Sequence, residues 1–145
     1  MRVKEEGKQG VARIVRFEDV QAWQKARSLV RQLYEITGNG VLAKDYGLRD
    51  QVRRAATSTM ANIAEGFARR TSKEFLYFLN VAHGSAAELQ SHLYVAADLG
   101  YISDTEREEL YRKVEEVSKM VQGLMRYLRS TRNPQLTTRN SRRSS

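Results

Sequence analysis

The strongest constraint on the fold of this chain is an apolar stripe in residues 75–96. Its members alternate in steps of four and three residues: Phe75, Leu79, Ala82, Ala86, Leu89, Leu93 and Ala96. This spacing follows one face of an α-helix and has the period of a heptad repeat. The preceding Thr71-Ser72-Lys73-Glu74 matches a capping box, and Gly100 closes the segment. The segment therefore predicts a long amphipathic helix that needs partners for its apolar face.

Three further segments carry stripes of the same kind. They cover residues 19–37, residues 48–65 with Gly66 placed as a stop, and the stretch from the capping box at 103–106 to Asn133-Pro134. Their apolar positions are Val20, Trp23, Ala26, Val30, Leu33 and either Ile36 or Thr37, then Leu48, Val52, Ala55, Thr59 and Ile63, then Leu110, Val114, Val117, Val121, Leu124 and Leu128. Short connections make neighbouring helices antiparallel. The predicted fold class is all-α, an antiparallel up-down-up-down four-helix bundle.

The positive charge of the chain is concentrated at its two ends. The net charge is +8, and residues 1–16 contain five basic and two acidic side chains. Residues 133–145 add three arginines and no acid, which leaves only +2 for residues 17–132. We therefore divide the chain into a basic N-terminal tail (1–16), a bundle domain (17–132) and a basic, disordered C-terminal tail (133–145). Such tails attract polyanions, RNA above all, or simply keep the protein soluble; both interpretations stay open.

A polar band lies beside the apolar stripe on each of the two central helices. Its residues are Gln51, Arg54, Ser58, Asn62 and Glu65 on the second helix, with Ser85, Glu88 and His92 on the third. In an antiparallel hairpin the facing pairs are Arg54 with Glu88, Ser58 with Ser85 and Gln51 with His92. We expect a structural polar network between the helices, including an Arg54–Glu88 salt bridge. A ligand site on the same groups and simple exposure to solvent are the alternatives.

The sequence offers no constellation for catalysis or for a metal. It contains no cysteine, and its only histidines are His83 and His92. Glu88 and His92 are four residues apart, whereas a di-iron bundle needs Glu-x-x-His on two helices. Neither histidine has the partners of a hydrolytic triad. We therefore predict no enzyme activity, no catalytic residue, no metal and no cofactor.

The two central helices also carry a family resemblance. The matching elements are residues 51–56 (Gln-Val-Arg-Arg-Ala-Ala) with Ser58, residues 62–66 (Asn-Ile-Ala-Glu-Gly), residues 17–19 and 23–26 in the first helix, and Gly84-Ser85 with Glu88-Leu89 in the third. This pattern resembles the four-helix-bundle proteins encoded in 23S ribosomal RNA intervening sequences. That family is similar to the accessory protein of diversity-generating retroelements, a pentameric barrel that binds nucleic acid with a reverse transcriptase. The resemblance implies a homo-oligomer, by analogy a pentamer.

Two functional hypotheses follow, and they are compatible. The first is a non-catalytic RNA-binding scaffold whose basic residues engage phosphates, which does not distinguish RNA from DNA. Its residues would be Arg49 and Arg53 on the solvent side of the second helix, Arg69, Arg70 and Lys73 on the next connection, and Arg139, Arg142 and Arg143 in the tail. The second is a homo-oligomeric protein-interaction scaffold without nucleic acid. The chain has neither a membrane-spanning run nor a signal-peptide core, so we expect a cytoplasmic protein.

Overall fold

The computed structural model describes the backbone of residues 3–7 and 10–144, and the side chains of residues 14–131. Four helices make up most of this part of the chain. They are α1 (Gln21–Thr37), α2 (Tyr46–Phe67), α3 (Ser72–Asp98) and α4 (Asp104–Ser144). The four-helix fold predicted from the apolar stripes is thus confirmed.

Side chains ahead of the helices explain where three of them begin. Thr71 Oγ1 accepts a hydrogen bond from Glu74 N at 3.1 Å at the start of α3. Before α4, Ser103 and Glu106 form a reciprocal capping box with bonds of 3.1 and 2.9 Å. Both caps were predicted. The cap of α2 was not: Asp45 Oδ1 accepts from Leu48 N at 3.2 Å, so α2 begins earlier than its apolar stripe indicates.

The contacts between helices run in antiparallel register, because higher residue numbers on one helix meet lower numbers on the next. Between α2 and α3, Ser58 lies 2.8 Å from Ser85 and Gly66 lies against Phe78. Between α3 and α4 the contacts are His83–Gln122 (3.0 Å) and Gln90–Glu115 (2.9 Å). Between α1 and α4 they are Lys25–Glu116 (3.2 Å) and Gln32–Lys113 (2.8 Å). This is the up-down-up-down arrangement.

The core consists of the predicted stripes, except that Val30 in α1 and Leu48 in α2 are only partly covered. Every member of the α3 stripe is at most 2% exposed, and the α4 stripe is buried as well. In α1, Leu29 is buried in place of Val30, whereas the other predicted positions Val20, Trp23, Ala26 and Leu33 are buried as expected. Burying such side chains is the main driving force for assembling the bundle.

Gly66 lies at a close contact between α2 and α3. It was predicted to stop the second helix, but α2 continues to Phe67 and Gly66 is buried inside it. A Cβ atom at this position would lie 2.8 Å from Phe78 Cβ and 2.9 Å from Phe75 Cδ1. The glycine therefore serves close helix packing and not helix termination.

The segments outside the predicted bundle also have regular structure. Within residues 1–16, strands β1 (Val3–Gly7) and β2 (Gly10–Ile14) form an antiparallel hairpin, which the sequence did not indicate. Ile14 is buried in the core at the end of β2. Helix α4 passes the predicted end at Asn133-Pro134 and continues to Ser144, although proline removes one helical hydrogen bond. Among the described residues, no helix has the length and apolar character needed to cross a membrane.

Candidate nucleic-acid interface

The predicted polar band forms a small, closed network at its centre. Ser58 Oγ and Ser85 Oγ are 2.8 Å apart, and Asn62 Nδ2 donates to Ser58 O at 2.8 Å and to Ser58 Oγ at 3.1 Å. Throughout the described part of the chain, no buried side-chain nitrogen or oxygen lacks a hydrogen-bond partner. These three side chains are therefore linked through Ser58, and none of them leaves a buried polar atom without a partner.

The predicted Arg54–Glu88 ion pair does not form. Glu88 Oε1 lies 3.3 Å from His92 Nε2 on the same helix, and the Glu88 side chain is 57% exposed. Arg54 is exposed and makes no ion pair with another described residue. The register is right, but an ion pair in contact with water is worth little and does not hold two long side chains together. The remaining members of the band, Gln51 and Glu65, are also exposed.

Arg53 was predicted to face solvent, but it connects α2 to the end of α1. Its Nε donates to Thr37 Oγ1 at 2.8 Å, and its Nη2 donates to Tyr34 O at 3.4 Å. The guanidinium also lies 4.4 Å from the centre of the Tyr34 ring. Thr37 in turn donates to Leu33 O at 2.7 Å. Arg53 thus provides donors for the last turn of α1, where backbone carbonyls lack helical partners.

Arg49 of α2 is similarly engaged, with the loop between α1 and α2. Its Nη1 donates to Ala43 O at 3.2 Å, and its Nε is 3.0 Å from Asp50 Oδ1. The guanidinium lies 4.7 Å from the centre of the Tyr46 ring. Both predicted cations of α2 therefore already have partners within the chain.

Three cations were predicted on the connection between α2 and α3, and two of them stay open, although Lys73 falls in the first turn of α3. Arg69 pairs with Glu65 at 2.8 Å and lies 4.6 Å from the centre of the Phe78 ring. Arg70 and Lys73 are exposed, and neither makes an ion pair with a described residue. Arg139, Arg142 and Arg143 have side chains outside the described residues.

The part of α4 whose side chains are described divides into an acidic half (residues 104–116) and a basic half (residues 117–131). The basic half supplies cations that sequence reasoning missed. Residues 104–116 contain six acids and three bases, whereas residues 117–131 contain three bases and no acid. Those bases, Lys119, Arg126 and Arg129, are exposed and have no carboxylate partner among the described side chains. The His83–Gln122 contact places this half of α4 beside the first half of α3. Arg126 and Arg129 therefore lie at the same end of the bundle as Arg70 and Lys73.

The titratable side chains of the described region do not form a metal site. No group of three histidine, aspartate or glutamate residues there is arranged to hold a metal ion. One pKa is clearly shifted: Tyr101 OH donates to Asp45 Oδ2 at 3.0 Å, and this bond raises the pKa of the phenol above its ordinary value of 10.0. Some burial and the negative charge of Asp45 act in the same direction. The bond joins the turn before α4 to the cap of α2.

Comparison with known families is decisive for the affiliation of the chain. Residues 18–123 match the family described as 23S rRNA-intervening sequence protein. The chain belongs to this family. A comparison with curated protein sequences gave no match. Among solved structures, the chain is similar to a protein with unknown function from the S23 ribosomal protein family of Bacteroides thetaiotaomicron VPI-5482, with a TM-score of 0.66 and 22% identity over 72% of this chain and 97% of that one. At this identity the similarity concerns the fold.

The 23S rRNA-intervening sequence match ends within the basic half of α4. It includes Gly66, the Ser58–Ser85 pair and the connection with Arg70 and Lys73, and it stops three residues before Arg126. The family elements of α2 and α3 are therefore the ones that hold these two helices together. Of the cations in this half, Lys119 lies within the matched range, whereas Arg126 and Arg129 lie beyond it.

Proposed function

We propose that this protein is a non-catalytic, homo-oligomeric scaffold of the cytosol that binds RNA through phosphate contacts. The observation that carries the proposal is the accumulation of cations without partners at one end of the bundle. Arg70 of the α2–α3 connection and Lys73 in the first turn of α3 lie at the same end as Arg126 and Arg129 of α4, and none of the four makes an ion pair with a described residue.

Phosphate contacts suit the chemistry of this end. An open guanidinium or ammonium group neutralises a phosphate and releases its counterions, so affinity falls steeply as salt is added. Cations that already bond to the protein, such as Arg49 and Arg53, contribute less. Since backbone charge is common to both nucleic acids, RNA is favoured over DNA by the family affiliation and not by these contacts.

Self-association is supported by the outer face of α3. Tyr77 is 64% exposed and Val95 is 42% exposed. Gly84 lies between them, and a Cβ atom added at Gly84 would meet nothing within 4 Å. Ser91, on the same face, is exposed. A face with exposed apolar groups and small residues allows close approach of another copy. The family resemblance implies five copies, and a ring would add several weak basic patches into a strong one.

The test is purification from a bacterial cytosol without nuclease, with light scattering and absorbance at 260 and 280 nm on the same column peak. We expect a multimer that carries RNA, which high salt removes. A monomer would contradict the oligomeric part of the proposal. Failure to retain or rebind RNA at low salt would contradict the nucleic-acid part.

The second candidate function is a homo-oligomeric protein-interaction scaffold without nucleic acid. The exposed face of α3 favours it, because that face needs no polyanion to be covered. Met125, which is not part of the apolar stripe of α4, is nevertheless buried within the chain and adds nothing to an exposed face. A multimer free of nucleic acid at low salt would favour this candidate.

A further inference from the structure

A groove between α3 and α4 lies at the basic end of the bundle and has no assigned role. Its volume is about 300 Å³, which is at the lower end of the range for small-molecule sites. It is lined by Asn80 and His83 of α3 and by Gln122, Met125, Arg126 and Arg129 of α4. The lining therefore combines two guanidinium groups, two amides, an imidazole and one apolar side chain.

The cations of the groove are placed for an anion. Arg126 and Arg129 are three residues apart, so they share one side of α4. Like charges at this spacing repel each other, and residues 117–131 contain no carboxylate to relieve the repulsion. A phosphate between the two guanidinium groups would supply the missing negative charge and accept their charge-assisted hydrogen bonds.

The remaining lining suits the other half of a nucleotide. Gln122 Nε2 lies 3.0 Å from His83 Nε2; because an amide nitrogen donates, the imidazole accepts and is held in place. Asn80 is exposed, and its amide makes no hydrogen bond to another described residue. Met125, only 7% exposed, gives the groove an apolar floor. Amides beside an apolar floor are suited to the edge and face of a base.

The same helix pair is closed one heptad away, toward the acidic end. There Gln90 Nε2 donates to Glu115 Oε2 at 2.9 Å, and the rings of Tyr94 and Tyr111 pack edge to face with centres 5.9 Å apart. Side chains thus fill the space that stays open between His83 and Arg126. The opening is a local feature of this end and not a general gap between α3 and α4.

We propose that this groove binds a nucleotide unit, with its phosphate between Arg126 and Arg129 and its base on Met125 beside Asn80 and Gln122. The nucleotide is either a free nucleoside monophosphate or an unpaired unit of an RNA strand. The second of these rests on the proposed function, whereas the first does not. The groove would add recognition of a base to an interface that otherwise contacts phosphate.

The experiment uses the full chain, stripped of nucleic acid by nuclease and high salt. Adenosine 5′-monophosphate, inorganic phosphate and a short unstructured RNA are each titrated by calorimetry against the wild type, Arg126→Gln and Arg129→Gln. Arg112→Gln is the matched control, because Arg112 is also an exposed arginine of α4 without a described partner and lies in the acidic half. Thermal unfolding by circular dichroism confirms that all variants fold.

We expect saturable binding of the monophosphate by the wild type, weakened about tenfold or more by either groove variant, as for loss of a charged hydrogen bond, and unchanged by Arg112→Gln. Equal affinity for inorganic phosphate would overturn the part assigned to Met125 and the amides. Absence of monophosphate binding, with RNA binding intact in the groove variants, would overturn the inference but leave the proposed function standing. Monophosphate binding without any RNA binding would overturn the proposed function and uphold the groove as a site for free nucleotide.

Discussion

Arg53 Nε lies 2.8 Å from Thr37 Oγ1, across the junction between the second helix and the end of the first. The adjacent Arg54 is exposed and has no described partner. We therefore expect Arg53→Gln to lower the free energy of unfolding by about 1 kcal/mol, the net value of a hydrogen bond. Arg54→Gln should change it by less than about 0.5 kcal/mol. Urea denaturation of the two variants measures the difference, and equal values would show that Arg53 does not stabilise α1.

Gly66 leads to a second prediction, with another helical glycine as its control. A methyl group at Gly66 would meet Phe78 Cβ at 2.8 Å, whereas one at Gly84 meets nothing within 4 Å. Gly66→Ala should destabilise the protein by about 1–3 kcal/mol through overpacking. Gly84→Ala should be neutral or stabilise the monomer by up to about 1 kcal/mol, because alanine favours the helix. Chemical denaturation tests the sign; a neutral Gly66→Ala would refute the close approach of α2 and α3.

The Tyr101–Asp45 bond predicts a dependence of stability on alkaline pH. The fold raises the pKa of Tyr101, so it favours the protonated phenol. The stability from this bond is complete below the ordinary pKa of 10.0 and is lost as the pH rises through the higher pKa of the folded state. At about pH 8 the melting temperature of the wild type should be higher than that of Tyr101→Phe. This difference in melting temperature should be smaller at about pH 11.

The matched control for this prediction is Tyr46→Phe, since Tyr46 is 64% exposed, has no described hydrogen bond and lies outside the face proposed for self-association. Its melting temperature should follow the wild type at both pH values. A gap between wild type and Tyr101→Phe that persists unchanged at the higher pH would mean that ionisation of Tyr101 does not weaken the bond.

The open cations of the α2–α3 connection predict a change in salt dependence. The double variant Arg70→Gln, Lys73→Gln should bind RNA more weakly and with less dependence on salt. Each phosphate of a single strand that loses its cation lowers the magnitude of the slope of log affinity against log salt by about 0.7, so the two substitutions together should lower it by about 1.4. Arg54→Gln with Arg112→Gln removes the same charge from exposed sites elsewhere. Fluorescence anisotropy over a salt series distinguishes the two doubles. Identical slopes would mean that net charge alone governs binding.

The C-terminal arginines give the fifth prediction. Deleting residues 133–145 removes Arg139, Arg142 and Arg143, which should reduce the same slope by about 2. The last buried side chain of the described region is Leu128, so the melting temperature should hold. An affinity and a slope equal to those of the full chain would remove this segment from the interface.

The sequence predicted the helices because apolar periodicity is a local property. The stripes of α3 and α4 are buried in full, and the caps at Thr71 and Ser103 form as their spacing indicates. The inner face of α1 was harder to place. Leu29 and Val30 are adjacent and both apolar, so only packing against the other helices decides which one is buried.

The candidate site was less predictable, because partners on other helices decide which cations stay open. On a helical wheel Arg53 points away from the core, yet the end of α1 lies within its reach. Arg126 and Arg129 had a signal that was not used: Lys119, Gln122, Arg126 and Arg129 recur at three- and four-residue steps, as the apolar stripes do. The hairpin of β1 and β2 has no strong alternation of apolar residues and depends on pairing between its strands.

The separation of charge along α4 has a consequence for how the protein meets a partner. Residues 104–116 carry a net charge of −3, with six acids and three bases, and residues 117–131 carry +3. In the field of a long polyanion this helix experiences a torque before any contact forms, so the basic half is turned inward and the acidic half outward. If several copies assembled in parallel, with their α4 helices pointing the same way, one rim of the assembly would be positively charged and the opposite rim negatively charged. Such an assembly would load nucleic acid from one side only.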